Sequence, residues 1–570
     1  MYSAFIRLFR KLQNRRALRS AIDPDQIFLD SSNLPRFDRH QFEGRLERPI
    51  SRRTIMSLGA LFLCVILLVL WRTFALQIEG GEQYRARSEE NRLRHTLIFG
   101  SRGILQDRTG ALLAWNVNDP SEPAFTKRAY RKQPGLSHVL GFLKYPSKDK
   151  AGFYYQVDFE GQSGIEKYWG EYIAPAHGLK IVETDAYGDV ASESVLRPPK
   201  DGTNLTLSID ARLQERLYTS MEGLARARGF EGGAAVIMDV RTGELLSLVS
   251  FPEYNSQMLT DGRDVEGITR AFQNKGKPFL NRATNGLYTP GSIVKPFIAL
   301  AALEEGIIAP EKEIVSTGSI AVPNPFNPDK PTIFKDWKAH GPVDMRRAIA
   351  VSSDVYFYEI GGGFEDQKGL GIAAIEKYMR MFGFGAEPPG SEFFGEAGVI
   401  PNPEWKREYF NGEAWRLGNT YHTTIGQYGF QVTVLQAARA VAAIANGGKL
   451  LEPRMLREET PATYSVVPIS TSSFEVVREG MLAAVEQGTA SGLLLPGVRV
   501  AGKTGTAELG TEKKLVNSWV VGFFPYEEPK FAFAIIMEKG PRDNTIGASY
   551  VGRELFEWMS VHAKEYLTNE

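Results

Sequence analysis

Tyr288-Thr-Pro-Gly-Ser292-Ile-Val-Lys295-Pro-Phe-Ile-Ala-Leu-Ala-Ala-Leu303 reads as a turn followed by a helix that is apolar on nearly every side. Such a helix has no polar face to offer water, so it belongs in the middle of a domain with other elements packed around it. Pro296 is admissible because it falls in the first turn, where its missing N–H has no intrahelical partner. Ser292 and Lys295 stand three apart and share a face, so their side chains can touch. At a helix start the serine oxygen is near free N–H groups and the positive end of the dipole, which favour developing negative charge.

Outward from this helix, strands come first. Ala234-Ala-Val-Ile-Met-Asp239, the turn Arg241-Thr-Gly243 and Leu245-Leu-Ser-Leu-Val read as an antiparallel hairpin. Residues 498–507, 518–524 and 531–538 are three further strand candidates, and residues 553–567 a closing helix. Helical stretches fill residues 292–450, the last of them ending at Gly447-Gly448. The expectation is an α+β fold: an antiparallel sheet flanked by helices, with one largely helical lobe.

Residues 77–230 are different in character, polar and rich in arginine. Asp107-Arg-Thr-Gly110 has the composition of a tight turn between apolar strands, and Leu205, Leu207 and Ile209 alternate as a half-buried strand does. Residues 211–228 follow as a helix, with Leu213, Leu217, Met221 and Leu224 at helical spacing. No internal repeat is visible.

Residues 55–71 (IMSLGALFLCVILLVLW) carry no charge. At about 1.5 Å per residue this run falls slightly short of a bilayer core of about 30 Å, and extension to Leu76 closes the gap. Arg72 lies where its long stem can lift the charge to the headgroups. The run begins too far along the chain for a cleavable signal and lacks a small-x-small site behind it, so it reads as an uncleaved anchor. Residues 1–54 hold 12 Lys and Arg against 6 Asp and Glu, which places the N-terminus in the cytoplasm and everything after residue 76 outside. The remaining 55 basic and 61 acidic side chains leave no nucleic-acid footprint. Cys64, the single cysteine, sits inside the apolar run, so no intrachain disulfide is possible.

Two other strings complete the chemistry: Ser352-Ser-Asp354 and Lys503-Thr-Gly-Thr506. Singly, the first would be an ordinary helix cap and a lone Lys295 a solvated helix lysine. Together they describe serine acyl transfer in which lysines, and no histidine, activate the nucleophile. A lysine in water is protonated at neutral pH, but burial and a second nearby cation both disfavour the charge, so one of Lys295 and Lys503 can be the base for Ser292. Ser352 can pass a proton between them and a leaving amine. Glycines at 502 and 505 let another backbone approach the third string, and an extended peptide could add itself to that strand edge. The N–H groups of Ser292 and Thr506 can then hold a tetrahedral oxyanion, while Lys503, Thr504 and Thr506 suit a terminal carboxylate.

The ordered trio resembles the signature of penicillin-binding proteins and class A β-lactamases. From about residue 77 to 560 the chain is similar to class B penicillin-binding proteins. The landmarks include Arg102-Gly-Ile-Leu-Gln-Asp107, Gly164-Ile-Glu166-Lys-Tyr168, Thr424-Ile-Gly426-Gln427, Gln436-Ala-Ala and Gln487-Gly-Thr-Ala490. Asp354 before Val-Tyr-Phe-Tyr358 resembles the elongation branch, penicillin-binding protein 2, more than the septal branch.

The resemblance implies Ser292 as acylated nucleophile, Lys295 as base, Ser352 and Asp354 as the second motif, and Lys503, Thr504, Gly505 and Thr506 as the third. With the apolar run as anchor, the expected division is a cytoplasmic segment over 1–54, a membrane helix over 55–76, a dimerisation-type pedestal over 77–230 and a transpeptidase domain over 231–570. The implied activity is a peptidoglycan D,D-transpeptidase acting in elongation, with no cofactor. Its partners are a RodA-like glycosyltransferase of the SEDS family and other elongation-complex proteins, its ligands stem peptides and β-lactams. The alternatives are a septal transpeptidase, a membrane-anchored β-lactamase or β-lactam sensor, and a non-catalytic activator of a glycosyltransferase.

There are departures from the pattern. Only a short link joins Ala114 to His138, where the elongation branch usually inserts a head subdomain; Tyr428 stands in a glycine's place; and Asn517-Ser-Trp519 lacks the histidine common before that tryptophan. Asp336 and His340, four apart, are the weak metal candidates, a surface Asp and His pair being the alternative. Zinc needs three or four ligands, Cys64 cannot serve, and Asp329 or Asp344 would have to complete the set.

Overall fold

The computed structural model describes residues 51–567 apart from 86–92, 151, 185–189, 325, 326, 328, 459 and 511. The basic segment expected over 1–54 therefore lies almost wholly outside the described residues. The described chain divides into two units, one ending at Leu93 and the other beginning at Arg94.

The first unit is built on helix α1, Arg52–Phe74, continued by a π-helical turn over Ala75–Glu79. Ser51 caps it, its hydroxyl accepting from Thr54 N at 3.2 Å. None of its residues is buried, and it is the one helix among the described residues long and apolar enough to cross a bilayer.

The second unit opens with small sheets. Strands Leu105–Gln106 and Leu112–Val117 flank the turn at Asp107, which Gly110 N closes by donating to Asp107 O at 3.0 Å. The alternating stretch at 205–209 forms only the two-residue strand Leu205–Thr206, parallel to Leu105–Gln106. Leu207 and Ile209 are fully buried, but so are Ser208 and Asp210, while Leu205 is only partly buried, so this stretch is enclosed on both faces and is not the half-buried strand its alternation predicts. Glu166 is buried between Arg102 and Arg128, whose Nε atoms donate to its two oxygens at 2.6 and 2.7 Å. Burial pushes this carboxyl up, and the two guanidiniums outweigh it, leaving it below the usual carboxylate range.

Helix α2, Ala211–Arg228, leads into a five-stranded antiparallel sheet of β1 (Gly232–Asp239), β2 (Leu245–Phe251), β3 (Ala501–Leu509), β4 (Leu515–Phe524) and β5 (Phe531–Pro541). The strand order is β2-β1-β5-β4-β3, which puts β3 at an edge. Side chains alternate between two apolar cores. Ala234, Val236 and Met238 face one side, with Phe297, Ile298 and Leu300 of α3 (Lys295–Glu304), and Ala235 and Ile237 face the other, with Leu213 and Leu217 of α2. The C-terminal helix α4, Ala548–His562, joins that second layer through Val551, Leu555 and Phe556. It begins five residues earlier than its sequence pattern predicts, because the Ser518 hydroxyl accepts from Ala548 N at 3.0 Å and so caps it from another strand. Burial of all the hydrophobic residues of α3 except Leu303, which is partly buried, matches a helix placed between a sheet and a helical lobe.

Candidate active site

Ser292 stands in a 3-10 turn, Gly291–Val294, from which α3 starts at Lys295. Four long-range bonds hold this turn. Tyr288 exchanges backbone bonds of 2.9 Å with Val432, Trp519 Nε1 donates to Thr289 O at 3.0 Å, and Gly291 N donates to Gly426 O at 3.0 Å. Gly291 has φ +58°, and a side chain there would come within 3.0 Å of Thr506 O; one on Gly426, at φ +75°, would come within 2.2 Å of Gly291 O. The nucleophile's turn is thus clasped between two backbones, which only glycine permits.

The second string sits at a helix break. The helix Met345–Val351 ends on Ser352, whose φ of 59° and ψ of 40° are left-handed, and Ser353 caps the helix Asp354–Gly362 by accepting from Tyr356 N at 3.3 Å. The third string lies along β3, where Lys503 pairs with Val521 and Gly505 with Trp519. Gly505 meets Pro290 O at 2.8 Å from an added Cβ, so bare backbone is what lets β3 lie against the nucleophile's turn.

These elements bring four groups together. Lys295 Nζ donates to Asp354 Oδ1 at 2.6 Å and Ser352 O at 2.7 Å, with Ser352 Oγ at 3.3 Å. Lys503 Nζ lies 2.8 Å from the same Ser352 Oγ and 3.0 Å from Thr504 O. Both lysines are 0% exposed. Burial, and then the charge of Lys295, push the Lys503 amine well below its ordinary value, against a weaker pull from Asp354. One hydroxyl therefore bridges an ion-paired lysine and a lysine that sheds its proton readily.

Ser292 is half-buried, and no described residue hydrogen-bonds its hydroxyl; the contact with Lys295 that their spacing permits is not made in this state. Ser292, Ser352, Asp354, Thr504, Gly505 and Thr506 nevertheless line one cleft of about 750 Å³, walled further out by Trp337, Arg542 and Tyr550. A second cleft of the same volume, lined by Tyr130, Ser137, Glu253 and Tyr254, holds none of these groups. The chemistry points to the first.

Asp336 and His340 do meet, His340 Nε2 lying 3.5 Å from Asp336 Oδ1. Among the described residues no third imidazole, thiolate or carboxylate joins them, and Asp344 instead caps a helix by accepting from Arg347 N at 2.8 Å. Thr489 escaped the sequence reading as a site residue: its hydroxyl is 2.8 Å from that of Thr504, and it lines the cleft. Its only mark in the sequence is the string Gln487-Gly-Thr-Ala490. Two of the departures have local explanations. Tyr428 takes φ +62° as the missing glycine would, held by a stacked ring contact with Phe410 at 6.0 Å, and Asn517 Oδ1 accepts from Lys539 N at 3.0 Å across a bulge in the β4–β5 ladder.

A sequence profile described as penicillin binding protein transpeptidase domain matches residues 233–556, and one described as penicillin-binding protein dimerisation domain matches residues 124–207. The chain is 28% identical to the peptidoglycan D,D-transpeptidase MrdA of Haemophilus influenzae over 86% of its own length and 88% of the relative's. It resembles the crystal structure of Pseudomonas aeruginosa PBP2 in complex with WCK 5153, with 26% identity, a TM-score of 0.68, and coverage of 84% of this chain and 99% of that one. It also resembles the PBP2 chain in a complex between penicillin-binding protein PBP2 and MreC from Helicobacter pylori, with 26% identity, a TM-score of 0.67, and coverage of 82% and 98%.

Proposed function

The chain belongs to the penicillin-binding protein transpeptidase family, and from that premise we propose how its residues perform the reaction. It is a peptidoglycan D,D-transpeptidase of the elongation type, a serine-type penicillin-binding enzyme; the septal, lactamase, sensor and non-catalytic readings are not favoured. Ser292 Oγ attacks the penultimate D-alanine carbonyl of a stem pentapeptide. The Ser352 hydroxyl relays a proton from Lys295 to the Lys503 amine, and Lys295, now neutral, takes the proton of Ser292. The N–H groups of Ser292 and Thr506 hold the oxyanion, each such donor contributing about 3 to 4 kcal/mol. The C–N bond breaks, the departing D-alanine nitrogen receives a proton from the Lys503 side of the relay, and the acyl group stays on Ser292. An amine of a neighbouring stem then attacks the ester and gives its proton to the Lys503 amine, while Lys295 returns its proton to the departing Ser292 oxygen, which leaves as the free hydroxyl. Thr504, Gly505 and Thr506 bind the donor strand along the edge of β3.

The observation that carries this reading is the Ser352 hydroxyl lying between Lys295 and Lys503 at the floor of the cleft that Ser292 lines. Labelling with a fluorescent penicillin and mass spectrometry of the adduct tests it. Wild-type protein should carry a stable adduct on the peptide containing Ser292, and Ser292→Ala should carry none; a mutant labelled as well as wild type would remove Ser292 as the nucleophile.

The profile matches at 124–207 and 233–556 support a pedestal over 77–230 and a catalytic domain over 231–570. The apolar helix Arg52–Glu79 suits a single-pass anchor, and Arg52 and Arg53 at its start support a cytoplasmic N-terminus with the catalytic domain outside. Elongation-complex proteins are the partners, in keeping with the relative solved with MreC. The finer reading is a RodA-like SEDS glycosyltransferase as the polymerising partner, for which co-purification from membranes is the direct check.

A further inference from the structure

The carboxylate of Asp336, which follows the strand Thr332–Lys335, is completely shielded from solvent. Its Oδ2 accepts from the Ser353 hydroxyl at 2.9 Å, from Val355 N at 3.0 Å and from the Ser316 hydroxyl at 3.2 Å. Its Oδ1 accepts from Trp337 N at 2.8 Å and faces His340 Nε2 at 3.5 Å. A buried carboxylate persists where donors surround it, and this one is held below the usual carboxylate range because backbone N–H donors, then the charge of Lys295 and the Ser353 hydroxyl, together outweigh the effect of burial.

Two of those donors bracket Asp354 and begin one residue after Ser352. Ser352 is left-handed, a conformation that disfavours every residue with a side chain and persists only where its surroundings impose it. On its N-terminal side the preceding helix imposes it, since Ser352 N and Ser353 N both donate back to that helix. On its C-terminal side the grip comes from Asp336, through Ser353 and Val355, across a gap of 17 and 19 positions in the chain. With both sides clamped, the hydroxyl of Ser352 is fixed between Lys503 and Lys295, and Asp354 is turned onto Lys295.

We propose that Asp336 is a positioning residue for acyl transfer: its carboxylate locks the left-handed turn at Ser352 and so sets the lysine–hydroxyl–lysine relay. This role rests on the reading of the site given above. It requires no metal, because the carboxylate acts by accepting hydrogen bonds from the chain itself.

The test uses the full-length protein in detergent, with fluorescent penicillin acylation resolved into a binding constant and an acylation rate constant, each per folded molecule. Asp336→Ala should lower the rate constant at least about tenfold while leaving the binding constant within about twofold, as expected when a reacting group is displaced but the cleft is intact. Asp336→Asn, which still offers a carbonyl oxygen to Ser353 and Val355, should recover most of the lost rate. Ser353→Ala should be slow, and the double variant Asp336→Ala/Ser353→Ala no slower than the worse single one. Wild-type acylation rate in Asp336→Ala, even with a lowered melting temperature, would reduce Asp336 to a stabilising residue. An Asn variant as slow as the Ala variant would show that charge, not acceptance from 353 and 355, is what counts, and would overturn the assignment. Absence of any adduct on Ser292 in the wild type would instead sink the underlying reading of the site.

Discussion

Nζ of Lys503 lies 2.8 Å from Oγ of Ser352, a residue 151 positions earlier in the chain that ends a helix in a left-handed turn. A fully buried amine beside a second buried lysine is an expensive arrangement, and the fold retains it by giving Lys295 a carboxylate and giving Lys503 a hydroxyl and a carbonyl. That asymmetry makes the two lysines unequal before any substrate arrives.

Lys503→Met should abolish penicillin acylation by about a hundredfold or more, because a proton acceptor is lost, and at the same time stabilise the protein. The stabilisation depends on pH with a definite sign. The native Lys503 pKa is depressed, so between it and the ordinary lysine value the unfolded chain binds a proton that the native protein does not. Wild-type stability therefore rises with pH across that window. The advantage of the Met variant in thermal unfolding should shrink as pH rises.

Ser352→Ala should leave both lysines in place and cut the acylation rate by about a hundredfold, since the group linking them is gone. Rapid-quench measurement of acylation checks this; a rate near that of wild type would mean that the proton does not pass through Ser352.

Gly426→Ala places a Cβ 2.2 Å from Gly291 O at a backbone of φ +75°. It should destabilise the protein by more than about 1 kcal/mol and slow acylation further than its stability loss explains, because the shift falls on the turn that carries Ser292. Urea unfolding alongside acylation kinetics separates the two effects.

Glu166→Gln removes the charge that two buried guanidiniums share, and should cost about 3 to 5 kcal/mol in unfolding free energy. Acylation per folded molecule should be unchanged, because Arg102, Arg128 and Glu166 line neither the cleft nor the turns around it.

The helix after Ser292 was legible because all-round apolarity forces burial, and strands β1 and β2 because two short, largely apolar stretches joined by Arg241-Thr-Gly243 have few other ways to fold. The start of α4 was misread because its cap, Ser518, lies 30 positions away on β4. Asp336 reads in the sequence as half of a weak metal pair or of a surface Asp and His pair, and its burial overturns the second reading; its donors Ser316, Ser353 and Val355 share no spacing that marks them as a set. Thr489 was hidden for the same reason, its partner Thr504 being on another element.

The sequence by itself determined which groups could do acyl transfer, that the helix behind Ser292 must be buried, and that one apolar run could span a bilayer, because these follow from residue type and local periodicity. Only the tertiary structure decided that Lys295 is ion-paired while Lys503 is the depressed amine, that Ser352 stands between them, and that Asp336 grips the turn which puts it there. Distances of a few ångströms between residues tens to hundreds of positions apart are set by how helices and strands close around a shared core, and pKa values follow those distances and not the order of the chain.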